Sequence, residues 1–254
     1  MKNLDTTNPS IAKPSNICSL GAVTAFIISG CCLILANDAS PNTDLGKNPI
    51  AIFLLILLIL SFILIFIPKI YKWNWETKYF GVGIFEIGSI SLFGITPTLC
   101  LLVYSDLSLK SRTAIFLIYT LQIFFWCKRF SKFYKKIYEN PDLRKKIYVE
   151  EDDANYYMQK GDRWLIDKKF KFKQLPSNLY FLLSIFFAIA IIPFSHDIIK
   201  ITKLPFIYTF CAIAALPISL LGCGLITRSW LIFYYYPKKI KAKNKKPVYV
   251  DMNG

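Results

Sequence analysis

Glu86 is the only Asp, Glu, Lys or Arg inside any of the chain's long apolar stretches. Placing a charged group at membrane depth costs roughly 2.5 kcal/mol or more, so such a residue marks a proton or cation site, or a contact with a partner helix. The alternative is a neutral acid hydrogen-bonded to a Ser or Thr of a neighbouring helix. Glu86 lies seven residues past Tyr79, about 10 Å along a helix, and shares a helical face with Gly83, Ile90 and Gly94. A relay needs a second acid or a Lys at depth. None is present, and the hydrogen-bonded acid is the expected role.

Other reactive residues are sparse. The only His, His196, precedes Asp197 in a short loop and reads as a solvated turn rather than a pH sensor. Glu150-Glu151-Asp152-Asp153 lacks the spaced ligands and the Gly of a calcium loop, and reads as a helix start or a solvated patch. The seven cysteines (Cys18, Cys31, Cys32, Cys100, Cys127, Cys211, Cys223) lie inside or at the edges of apolar stretches, with no C-x-x-C. They read as small helix residues, not as a disulfide set or a zinc site. No phosphate-binding loop, nucleophile elbow, H-E-x-x-H or dinucleotide fingerprint occurs. No enzyme, cofactor or metal is therefore expected.

These residues are set in a membrane sequence. The 254 residues are 54% hydrophobic and 19% charged, with a mean hydropathy of +0.41, where a soluble domain has about 25% charged residues. Six apolar stretches stand out: Ile17–Ala36, Pro49–Ile67, Tyr79–Tyr104, Thr113–Cys127, Leu179–Ser195 and Leu204–Thr227. A span needs about 20 residues. The fourth, with 15 residues, is short unless Lys110, Arg112, Lys128 and Arg129 snorkel. The expected fold is an all-α bundle of six transmembrane helices in three hairpins. Residues 128–178 would form a basic loop module between helices 4 and 5, and residues 228–254 a basic tail.

Charge orients the bundle. Net charge is +15; with six spans, 26 Lys and Arg fall on one side and 5 on the other. Basic residues near span ends stay in the cytoplasm, which puts both termini there. Trp73, Trp75, Tyr79, Trp126, Tyr180, Trp230 and Tyr234–Tyr236 flank the spans, as interfacial aromatics do. Near the N-terminus, Ile28-Ser29-Gly30-Cys31 resembles a lipobox. The apolar run continues to Ala36, so an uncleaved signal-anchor is expected.

Small residues mark the packing faces. The third stretch carries Gly83 and Gly94, the sixth Gly222 and Gly224, and both belong at the bundle centre because small residues let helix backbones approach. The second, a near-uniform run of Leu, Ile and Phe from Ile52 to Ile67, faces lipid. In the module, Phe130, Phe133, Tyr134, Ile137 and Tyr138 recur at helical spacing, so the fourth helix runs on past its apolar part or bends into the interface. Asn140-Pro141 ends it. A short helix over 152–160 with Gly161 as stop is expected next. A hairpin pairing 164–166 with 170–172 follows.

Lys238, Lys239, Lys241, Lys243, Lys245 and Lys246 form a polybasic segment beside the last aromatics. Anionic lipid headgroups are its expected partner, at about 1 kcal/mol per Lys near the surface, rather than nucleic acid. The functional expectation is a non-enzymatic inner-membrane protein that acts through contacts with another membrane protein or a toxin, as an immunity or exclusion factor does. Self-association is compatible with it. The alternative is a small transporter or channel using Glu86.

Overall fold

The computed structural model describes residues 14–40 and 45–251. The chain is a helical multi-pass membrane protein. Five of its helical segments are long and apolar enough to cross a membrane: Ser15–Asp38, Pro49–Ile70, Thr77–Tyr104, Asn178–Thr202 and Leu216–Asn244.

The first two segments are helices α1 (Pro14–Asp38) and α2 (Pro49–Ile70). Asn48 caps α2 by accepting a hydrogen bond from Ala51 N at 2.9 Å, and Pro49 follows at the first helical position, where a missing N–H costs nothing. The third segment is α3 (Thr77–Ile87) and α4 (Leu92–Tyr104), joined by a tighter 3-10 turn over Gly88–Ser91. Helix α5 runs unbroken from Leu109 to Glu139, about 46 Å at 1.5 Å per residue. It is not among the five apolar segments; its 15-residue apolar stretch, Thr113–Cys127, sits between basic ends and includes a polar Gln122.

The fifth apolar stretch bends at Pro193. Helix α8 (Asn178–Ala190) gives way to a 3-10 turn over Ile192–Phe194, and α9 (Ser195–Thr202) follows. The last stretch is α10 (Phe206–Ala214), a break at Ala215 just ahead of Pro217, and α11 (Leu216–Ser229). The helix does not end at Thr227. It widens to a π-helical segment over Trp230–Tyr235 and continues as α12 (Tyr236–Asn244). The residues read as a separate basic tail thus begin as the end of the sixth helix.

The third and sixth segments cross at the centre of the bundle, flanked by α1 and α2 on one side and by α5 and α8 on the other. Backbones touch at the crossing. A Cβ on Gly222 would lie 2.5 Å from Ser91 N and 2.6 Å from Gly88 O, closer than any side chain tolerates. Helix α1 joins this centre through Gly21, which meets the Gly83 carbonyl, while a Cβ on Gly83 would lie 2.8 Å from Ile17 O. A Cβ on Gly94 would meet Tyr119 Oη and Ser219 Oγ, and one on Gly224 would lie 2.9 Å from the Phe130 ring.

The module at the basic end is a folded body. It comprises the C-terminal half of α5, helix α6 (Pro141–Ile147), helix α7 (Gln159–Trp164), α12 and a three-stranded sheet. Strands β1 (Tyr148–Glu150) and β2 (Asn155–Met158) pair antiparallel; β3 (Val248–Asp251) joins β2 in parallel, with Tyr157 opposite Val250. The sheet's β3 edge also meets the loop before α3, where Val250 N donates to Trp75 O at 2.8 Å. Phe130, Tyr134, Ile137, Tyr157, Leu165 and Ile232 fill the core beneath.

Two local expectations in the module are corrected. Residues 155–158 form strand β2, not a helix. Gly161 sits inside α7 rather than stopping a helix, because its missing Cβ lets the Lys146 carbonyl approach. Residues 164–172 do not form a hairpin. Leu165 and Ile166 are consecutive and both fully buried, which a half-buried strand cannot arrange, and they lie in a π-helical turn over Leu165–Lys169.

Candidate functional site

Glu86 lies two residues before the Gly88–Ser91 break, half-buried between α3 and α2. Its side-chain hydrogen bond is from Ser61 Oγ on α2, at a long 3.5 Å to Oε2. Among the described residues it makes no ion pair. The site holds one acid and one hydroxyl, enough to join two helices. Among the described residues, no other carboxylate or ammonium group is hydrogen-bonded to it to extend a path.

The main polar cluster is elsewhere. Asp162, fully buried on α7, accepts from Arg228 Nη2 of α11 at 2.7 Å and from Tyr157 Oη of β2 at 2.7 Å, both at Oδ2. Arg228 Nη1 also donates to Gln174 Oε1 at 2.9 Å. Tyr134 of α5 is packed against the pair. Its Oη, Asp162 Oδ1 and Arg228 Nε are buried without a hydrogen-bond partner among the described residues. Burial, and then the Asp162 carboxylate, hold the Tyr157 phenol well above its usual range; burial and the Tyr157 phenol do the same to Tyr148. The cluster joins four elements, from the end of α11 to the heart of the module. A buried pair like this is weak evidence of net stabilisation, but removing one partner strands a charge and costs about 3–5 kcal/mol.

Sequence reasoning missed this cluster. Arg228 reads as the first residue of a basic tail, and Asp162 as one charge in Gln159-Lys160-Gly161-Asp162-Arg163. The available signal was the density of Tyr and Phe in a supposedly solvated loop, which is the composition of a core.

A second knot ties the opposite end. Asn48 is fully buried; its Nδ2 donates to Ala36 O at 2.8 Å, and Tyr104 Oη donates to its Oδ1 at 2.5 Å. Tyr208 Oη donates to Leu35 O at 2.6 Å. In the middle, Tyr119 Oη and Ser219 Oγ lie 2.9 Å apart, and Ser219 donates to Ser91 O at 3.0 Å. Each knot satisfies polar groups internally, as a lipid environment requires.

The six lysines of the tail do not share one environment. Lys246 Nζ donates to Glu151 O at 2.9 Å and lies 3.6 Å from Glu150 Oε1, inside the module. Lys245 caps α12 with φ 60°, its N–H bonded to Lys241 O. Lys239 sits over the Tyr235 ring at 4.5 Å and Lys238 over Tyr234 at 5.8 Å. Lys241 and Lys243 are exposed. Glu150, read as part of an acidic patch, accepts from Asn244 Nδ2 at 3.2 Å. His196 is exposed in the first turn of α9. Among the described residues, no group of three His, Cys, Asp or Glu is placed to hold a metal.

Compared with known protein families, curated proteins and solved structures, the chain matches none.

Proposed function

We propose that the chain is a non-enzymatic, six-span protein of the bacterial inner membrane that acts by contact, in the bilayer and at its cytoplasmic face. Both termini and the module lie in the cytoplasm, and α5 is the fourth of the six spans. The length of α5 and the 26-to-5 division of basic residues support this arrangement. Blocking a membrane-acting toxin or another incoming element, as an immunity or exclusion factor does, is the role that fits best.

One observation carries the reading. The ends of α5 and α11 are tied to the module by the Arg228–Asp162 cluster, and the start of α3 by Val250 N donating to Trp75 O beside the β2–β3 pair, which makes one continuous face rather than a set of loops. A continuous face of side chains from distant segments suits recognition by shape. The long apolar sides of α5 and α8, with Phe124, Phe125, Leu182 and Phe186 half or more exposed, offer further contact area to lipid or to a partner helix.

The test is capture from native membranes after crosslinking through the module. A single membrane protein or toxin should co-purify in near-equal amount, and should be lost when Arg228→Met loosens the module. Recovery of only the proteins that an unrelated six-span control also recovers would overturn the contact reading. The second reading, a transporter, draws on the Glu86–Ser61 pair beside the Gly88–Ser91 turn.

A further inference from the structure

A cleft of about 500 Å³, measured out to its open mouth, lies between the start of α3 and α12. Its floor is apolar: Phe233, Pro237 and Val248, all buried. Its rim carries Lys78, Lys238 and Lys241. Glu76 lies on the same rim and pairs with Lys78 at 2.9 Å. Burial raises the Glu76 carboxyl, but hydrogen bonds from Lys78 and Asn74 outweigh it and keep the group below its usual range, hence ionised. Lys238 and Lys241 form no ion pair among the described residues, so the rim keeps a positive excess.

The depth of the cleft points to its occupant. Trp73 stacks on Tyr79 at 4.7 Å, and the exposed Trp230 lies beside Tyr234 at 4.6 Å. Paired aromatics of this kind mark headgroup level. Tyr79 and Tyr234 adjoin or line the cleft, so its ammonium groups sit where lipid phosphates lie.

We propose that this cleft is a headgroup site for one anionic phospholipid, whose phosphodiester is held by Lys238, Lys241 and Lys78. The glycerol rests on the apolar floor, and the acyl chains pass Tyr234 and Trp230 into the bilayer. Other phosphates share the charge, but a soluble one would gain nothing from the floor or the depth. The site differs from a diffuse polybasic surface: it recruits Lys78 from α3, while Lys246 is committed to the module. It rests on the membrane reading of the fold.

The test is native mass spectrometry of the full-length protein in detergent. It is titrated separately with phosphatidylglycerol, phosphatidylcholine and inorganic phosphate. One phosphatidylglycerol should bind saturably. K78Q/K238Q/K241Q should weaken it roughly a hundredfold; K78R/K238R/K241R should restore it, and K243Q/K245Q should leave it unchanged. Equal binding of phosphatidylcholine would overturn the site, as would equal loss in K243Q/K245Q. Displacement of the lipid by inorganic phosphate at matching concentration would overturn the lipid assignment. Release of the protein from native membranes by alkaline carbonate would instead count against the membrane reading, and these variants do not affect that result.

Discussion

Arg228, at the end of α11, and Asp162, in the module, meet at 2.7 Å across 66 positions of chain. Their contact turns a loop between two spans into part of the bundle. Everything on the basic end depends on that junction or on the sheet beside it.

Breaking the pair from one side should therefore cost more than replacing both members. Arg228→Met leaves a buried carboxylate with only Tyr157 as a donor, and should lower stability by about 3–5 kcal/mol. Arg228→Met combined with Asp162→Leu should recover most of that loss, because neither charge is then stranded. Thermal unfolding in detergent, read by protease cleavage within residues 128–178, distinguishes the two. A double variant less stable than the single would show that the pair contributes net stability of its own.

The module should weaken at alkaline pH. Burial holds Tyr157, Tyr148 and Tyr134 neutral when folded, and pushes each phenol above its unfolded value. A group whose folded pKa is raised contributes stability that is fully present below the unfolded value, near pH 10, and is lost as pH rises toward the folded value. Absorbance of tyrosinate should thus show a class of phenols that ionises only together with unfolding, at a pH well above 10. Tyr157→Phe should remove one phenol from that class. Ionisation of all tyrosines in one simple step near pH 10 would contradict the burial.

Gly222 and Gly46 offer a matched contrast. Gly222→Ala puts a methyl 2.5 Å from Ser91 N, so α11 and the Gly88–Ser91 turn must separate. Overpacking of this kind costs about 1–3 kcal/mol. A Cβ at Gly46 meets nothing within 4 Å, and Gly46→Ala should be silent. Equal melting temperatures for the two variants would refute the backbone contact.

Glu86 decides between contact and transport. Glu86→Gln keeps a hydrogen-bond partner for Ser61 but removes the titratable proton. On the contact reading it is nearly silent, and Glu86→Leu lowers stability by about 0.6–2 kcal/mol, the range for interhelical hydrogen bonds in membranes. Ion or proton flux in reconstituted vesicles that disappears in Glu86→Gln, with expression unchanged, would establish the transporter instead.

The parts of this architecture that can be read from the chain are those set by local composition. Long apolar runs identify α1 and α2 because a lipid solvent selects residues one at a time. The glycines of the third and sixth stretches point to close helix contacts for the same reason. Gly21 is easily passed over although Ala25 and Ser29 follow it at four-residue spacing, a small-residue stripe; only the fold shows that Gly21 meets Gly83. The strands are three or four residues long, too short for alternation to register, and β3 lies in a segment dominated by lysines. The Arg228–Asp162 pair is least legible of all. Electrostatic partners 66 positions apart leave no periodic trace, and each alone looks like an ordinary surface charge.

The parallel pairing of β2 with β3 also sets an order of assembly. Residues 155–158 emerge from the ribosome before the last two spans, and residues 248–251 after them. Strand β2 therefore waits with one edge open until the last two apolar segments, Asn178–Thr202 and Leu216–Asn244, have been made. If one of those two segments fails to cross, β3 ends on the opposite side of the membrane from β2 and the edge is never covered. The sheet thus counts crossings rather than directions: it closes only when an even number of them separates β2 from β3, and a chain with one crossing too few keeps the β2 edge exposed.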